Sequence, residues 1–117
     1  MYVDDETRLH HMLDAGREAL SFVTGRTRAE LDSDRMLYRA VASCLDEIGG
    51  AASRITPEGR IALATVSWPD IVGMRNRLIH GYFQISADVV WKTVNDDLPP
   101  LISVLEEWFA READETS

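Results

Sequence analysis

The chain is predicted to be all-α, an up-and-down bundle of four to five helices. Three observations predict this. Apolar residues recur at helical spacing in four segments, and no segment sustains the two-residue alternation of a half-buried strand. Glycines, prolines and capping residues fall where those segments start or stop. The 117 residues suit one domain spanning 1–117, and an apolar fraction of 45% is enough for a core.

The first helix is expected from about Glu6 to Val23, with Leu9, Met12, Leu13, Leu20 and Val23 on one stripe. Asp4 or Asp5 can cap it, and Gly25 follows its end. A polar link with one turn near Arg28–Leu31 comes next. The second helix is expected from about Asp34 to Ile55, capped by Ser33 or Asp32, its apolar face made by Met36, Leu37, Ala40, Val41, Cys44, Leu45 and Ile48. Gly49 and Gly50 lie inside this pattern. Each costs about 1 kcal/mol against alanine, so a kink or a close helix contact is expected. The small neighbours Ala51, Ala52 and Ser53 favour the contact.

Pro57 opens a short helical piece toward Leu63. Ser67 caps the third long helix, with Pro69 in its first turn. Ile71, Met74 and Leu78 face the core, and the helix should end near Gly81. Ser86 caps a segment reaching about Asp96. Pro99-Pro100 should then interrupt the hydrogen-bond ladder, with Asp97 capping a fresh start that buries Leu101, Ile102, Leu105, Trp108 and Phe109. The acidic end, about 111–117, is expected to fray.

The net charge of −8 argues against a broad basic face for nucleic acid, so any such chemistry must use a local positive spot. No apolar run is long enough for a membrane span, and the acidic start is unlike a signal peptide. The lone Cys44 reads as a small core residue, and a reducing cytoplasm fits.

The informative stretch is Arg75-Asn76-Arg77-Leu78-Ile79-His80-Gly81-Tyr82. Arg75 and Tyr82 share a helix face, and His80 lies about 140° round the axis from Arg75. Asn76 and His80 stack four residues apart. An arginine fork can clamp a phosphate and meet the charge of a phosphorane. A histidine can serve as general acid or base near neutral pH. Asn76 can orient the imidazole or a phosphate oxygen. Together these are parts for breaking a phosphodiester without a metal. One chain offers one such histidine; a two-fold dimer bringing two copies of this helix together supplies two histidines and two Arg75 side chains in one groove.

The spacing Arg75, four residues, His80, one residue, Tyr82 is the R-x4-H-x-Y signature of the HepT toxins, all-helical ribonucleases of the HEPN group. Trp68 to Asn76, Asp97-Leu98-Pro99-Pro100-Leu101 and Leu45 to Ala52 also resemble blocks of that family, so the resemblance spans about Asp5 to Phe109. Gly81 departs from it, since many relatives carry a larger residue there. The resemblance implies the toxin of a type VII toxin–antitoxin pair. It implies a metal-independent, homodimeric RNA endonuclease, with Arg75 and His80 catalytic; Asn76 and Arg77, from their own chemistry, are the candidates for supporting RNA binding. It also implies an MntA-type nucleotidyltransferase antitoxin that uses ATP and magnesium to adenylylate Tyr82. RNA, the antitoxin and a second copy are the expected partners, DNA and membranes are not, and cleavage itself should need no cofactor. The rival reading is a non-catalytic helical partner that binds nucleotide or presents substrate to a nucleotidyltransferase.

Other residues read more plainly. His10 and His11 diverge by about 100°, too far to share a metal ion, and read as solvent or interface positions. Trp68, Trp91 and Trp108 read as core or interface anchors. Arg54, Arg60 and Arg77 can each extend an RNA groove, although surface ion pairing is the commoner use.

Overall fold

The architecture is that of a computed structural model, which describes residues 1–80 and 87–116, the side chains of 76–80 and 116 excepted. The elements run α1 (Val3–Val23), α2 (Glu30–Ser33), α3 (Arg35–Ser53), α4 (Pro57–Ala62), α5 (Trp68–His80), α6 (Ala87–Lys92), a π-helical turn (Thr93–Asp97) and α7 (Leu98–Thr116). Among the described residues there is no strand, as the all-α prediction requires. Helix α1 packs on α3, α3 on α5, and α7 on the other flank of α1.

The apolar stripes meet in one core. Leu9, Met12, Val41, Ile48, Val90, Val94, Leu98 and Leu105 are almost fully buried. Burying a leucine or methionine side chain contributes roughly 1.5–3 kcal/mol each, so this seam holds α1, α3 and α7 together. Met36 is a correction: placed on the apolar face of α3 by its spacing, it is 84% exposed. In the first turn of α3 it is Leu37, next to it and pointing elsewhere round the axis, that enters the core. Trp68 and Trp108 are buried and Trp91 is partly buried, as core anchors.

Capping differs in detail from expectation. Asp34 caps α3, its carboxylate accepting from the Leu37 amide at 3.1 Å; Ser33 and Asp32 belong to α2. Tyr2 is the N-cap of α1 and makes no side-chain capping bond. Asp5 instead turns inward, fully buried, and accepts from the Thr56 amide at 3.0 Å and from the Thr56 hydroxyl. Thr56 in turn caps α4 by accepting from the Gly59 amide. Gly59 is needed here: a Cβ would lie 2.7 Å from Asp5 Oδ2. A residue read as a surface cap is therefore the tie between α1 and α4.

The Pro99-Pro100 pair does not open a fresh helix. The backbone stays helical from α6 into α7 through the π turn, with Leu98 in the right-handed region and its amide donating to the Thr93 carbonyl. Widening by one residue lets the proline rings clear the preceding turn, where an α-helical ladder would clash and lose donors. Past Arg111, where fraying is expected, the backbone is still helical as far as Thr116. The expected cap Ser86 and helix end Gly81 lie outside the described residues.

Candidate functional site

Arg75 stands on α5 where that helix comes closest to α3, and the cause is the glycine pair. A Cβ on Gly49 would lie 2.7 Å from Arg75 Cβ and 3.0 Å from its amide nitrogen. Gly50 faces the same side chain farther out, 3.9 Å from Cδ. Of the two outcomes expected at Gly49-Gly50, the close contact is the one found, because α3 runs unbroken through both residues.

The guanidinium then meets one acid. Arg75 Nε donates to Asp46 Oδ1 at 3.2 Å, with the two side chains 44% and 51% exposed. A pair this open contributes little to stability. It occupies Nε and leaves the two terminal nitrogens with no other protein partner among the described residues.

Arg75 lines a groove of about 450 Å³ between α1, α3 and α5, where Arg8, His11 and Arg54 also lie. Asp14, Glu18, Asp46 and Glu47 share its walls. The groove is therefore of mixed charge, and its positive character is local, as the acidic composition requires. Its chemistry suits gripping one phosphate at Arg75, with Arg54 within the same groove.

Arg54 thus joins Arg75, whereas Arg60 does not. The Arg60 guanidinium donates to the carbonyls of Ile55 and Ala52, both at 3.2 Å, closing the end of α3, and lies over the Trp68 ring. Trp68 Nε1 donates to the carbonyls of Leu63 and Arg60. His10 stacks on Phe109 at 3.9 Å between ring centres, away from its neighbour His11 in the groove. The side chains of Asn76, Arg77 and His80, and all of Tyr82, lie outside the described residues, though the helix carrying the first three is continuous through His80. Asp46, and Arg75 as the residue that meets Gly49, escaped the sequence reading. The glycines inside a helical pattern were the one available signal for them.

Cys44 is buried, and burial pushes its thiol up to about 11, with Glu18 and Glu47 adding to the shift. A thiol held protonated in this way is a packing group.

Residues 12–108 match the model of the family described as HepT-like ribonuclease. A candidate RNase of Methanocaldococcus jannaschii is 31% identical over 103 residues, covering 88% of this chain and 94% of that protein. A candidate RNase of Caldanaerobacter subterraneus is 31% identical over 104 residues, covering 89% and 93%. A protein of Thermococcus cleftensis named a probable ribonuclease HepT is 34% identical over 74 residues, covering 63% and 67%. No solved structure gives a significant match. An all-helical domain with an arginine held at a groove, matched over most of its length by these proteins, falls in the class of small helical ribonucleases. The chain belongs to the HepT-like ribonuclease family, of HEPN type.

Proposed function

We propose that the protein is the toxin of a type VII toxin–antitoxin pair, cutting RNA without a metal at a composite site shared by two copies. The observation that carries this reading is Arg75, seated against Gly49, bound through Nε to Asp46 and lining a groove between α1, α3 and α5. In the reaction, a 2′-hydroxyl loses its proton to one His80 and its oxygen attacks phosphorus. The 5′-oxygen leaves and takes a proton from His80 of the partner subunit. Arg75 holds the non-bridging oxygens as charge builds on the phosphorane. Asn76 and Arg77 orient the imidazole and the strand. Two histidines are needed, so the homodimer is part of the mechanism.

Control falls to Tyr82. A nucleotidyltransferase antitoxin of the MntA type, using ATP and magnesium, attaches AMP to its hydroxyl and so sets phosphate beside Arg75 in the RNA path. Both partners act in the cytoplasm.

The test is cleavage of RNA by purified protein in the presence of a chelator. Arg75→Ala and His80→Ala should each lower the rate by at least about a hundredfold while the fold persists, and each should relieve growth arrest. If both variants cut and arrest growth like the parent, the reading fails; if none of the three cuts RNA, the non-catalytic reading takes its place. Tyr82→Phe should keep much of the toxicity and take up no AMP. Continued AMP transfer to that variant would place the modification elsewhere.

A further inference from the structure

The guanidinium of Arg75 is held at two points. Its Cβ lies against the bare backbone of Gly49, and its Nε is bound by Asp46. An arginine side chain has several rotatable bonds, and an unheld one points its fork in many directions. Fixing Cβ sets where the side chain begins, and fixing Nε sets the plane of the fork. A guanidinium presents five donors in a rigid plane, so a bond to Nε leaves the end edge of the fork, the two terminal nitrogens, for another partner. That edge matches the spacing of two phosphate oxygens.

We propose that Asp46 is the positioning residue of the ribonuclease site: it orients Arg75 so that the terminal nitrogens meet the scissile phosphate. The proposal rests on the ribonuclease reading and deepens it. A carboxylate beside a phosphate-binding arginine also has an opposite potential effect, since its charge repels RNA. Substitution separates the two effects by sign. Asp46→Asn keeps an oxygen that accepts from Nε and removes the charge. Asp46→Ala removes both.

The experiment measures two quantities on parent, Asp46→Asn, Asp46→Ala, Arg75→Ala and the double variant. One is cleavage of a short single-stranded RNA. The other is binding of the same oligonucleotide fully 2′-O-methylated, which cannot be cut. Positioning predicts that Asp46→Ala lowers kcat/KM by roughly ten- to a hundredfold, mostly in kcat, with Asp46→Asn within about threefold of the parent. In the Arg75→Ala background, Asp46→Ala should cost no further affinity. Asp46 is half exposed, so unfolding midpoints should barely move.

If Asp46→Ala and Asp46→Asn both bind and cut more tightly and faster than the parent, the acid merely masks Arg75 and the proposal is overturned. If the parent cuts RNA, Arg75→Ala does not, and Asp46→Ala equals the parent, positioning falls while the ribonuclease reading stands. If Asp46→Ala weakens binding equally with and without Arg75, the acid acts through another group and the proposal is again overturned. A parent that neither binds nor cuts RNA overturns both.

Discussion

Asp34 shows how much one side chain decides locally. It caps α3 through the Leu37 amide and pairs with Arg26 at 2.6 Å. The Leu37 amide, and then the Arg26 guanidinium, hold its carboxyl below the ordinary carboxylate range. A carboxyl lowered on folding favours the folded state above its unfolded value of about 4, and that contribution disappears as pH falls through the lower folded value. Asp34→Asn keeps a capping acceptor and removes the titration. Its unfolding temperature should therefore fall less steeply than the parent's across roughly pH 5 to 2, as followed by circular dichroism. Equal slopes would assign acid lability to other carboxylates. Asp34 also illustrates legibility: a cap near that point is readable because Ser, Asp and Asn cap helices, but the sequence favoured Ser33 or Asp32, and only the backbone path selects Asp34. Asp5 was harder to read, because its partner Thr56 lies 51 positions away.

At the scale of elements, the approach of α3 to α5 depends on a missing Cβ. Neighbouring glycines in one helix should respond oppositely to the same substitution. Gly49→Ala drives a methyl group to within 2.7 Å of Arg75 Cβ. Overpacking of that kind costs about 1–3 kcal/mol, and it shifts Arg75, so activity should fall along with stability. Gly50→Ala meets Arg75 Cδ only at 3.9 Å, so the gain in helix propensity of about 1 kcal/mol prevails. Denaturant unfolding of the two variants decides the matter, and a destabilised Gly50→Ala would show that Gly50 also needs its bare backbone against Arg75. The π turn before Pro99 belongs to this scale too. The prolines announce an interruption, but whether the chain stops or widens depends on the burial of Val94 within the turn and Leu98 directly after it, both with no exposed surface.

For the whole molecule, charge and shape bear on assembly. The Cα frame measures 47 × 29 × 19 Å. The short axis is about two helix diameters, so among the described residues no third layer covers the outer helices. A second copy would cover more, yet each carries a net charge of −8. Screening of that repulsion should tighten a homodimer as salt rises, whereas RNA binding through arginines should weaken. Sedimentation across a salt series should show a species of twice 13.2 kDa that persists or grows with salt. A monomer at every salt concentration would remove the composite site. Among the described residues no helix is long and apolar enough to cross a membrane.

The all-α class, the main helices and the choice of Arg75 as the candidate site residue could be derived from the linear chain, because helical periodicity, caps and motif spacing are local properties and survive projection onto one dimension. Asp46 beneath the guanidinium, Gly49 as its seat, Arg54 in the groove with Arg60 diverted to a helix end, and the inward turn of Asp5 were settled only by the folded backbone. Each depends on residues far apart in the chain meeting within a few ångströms, and no pattern along the chain encodes which helix faces will touch.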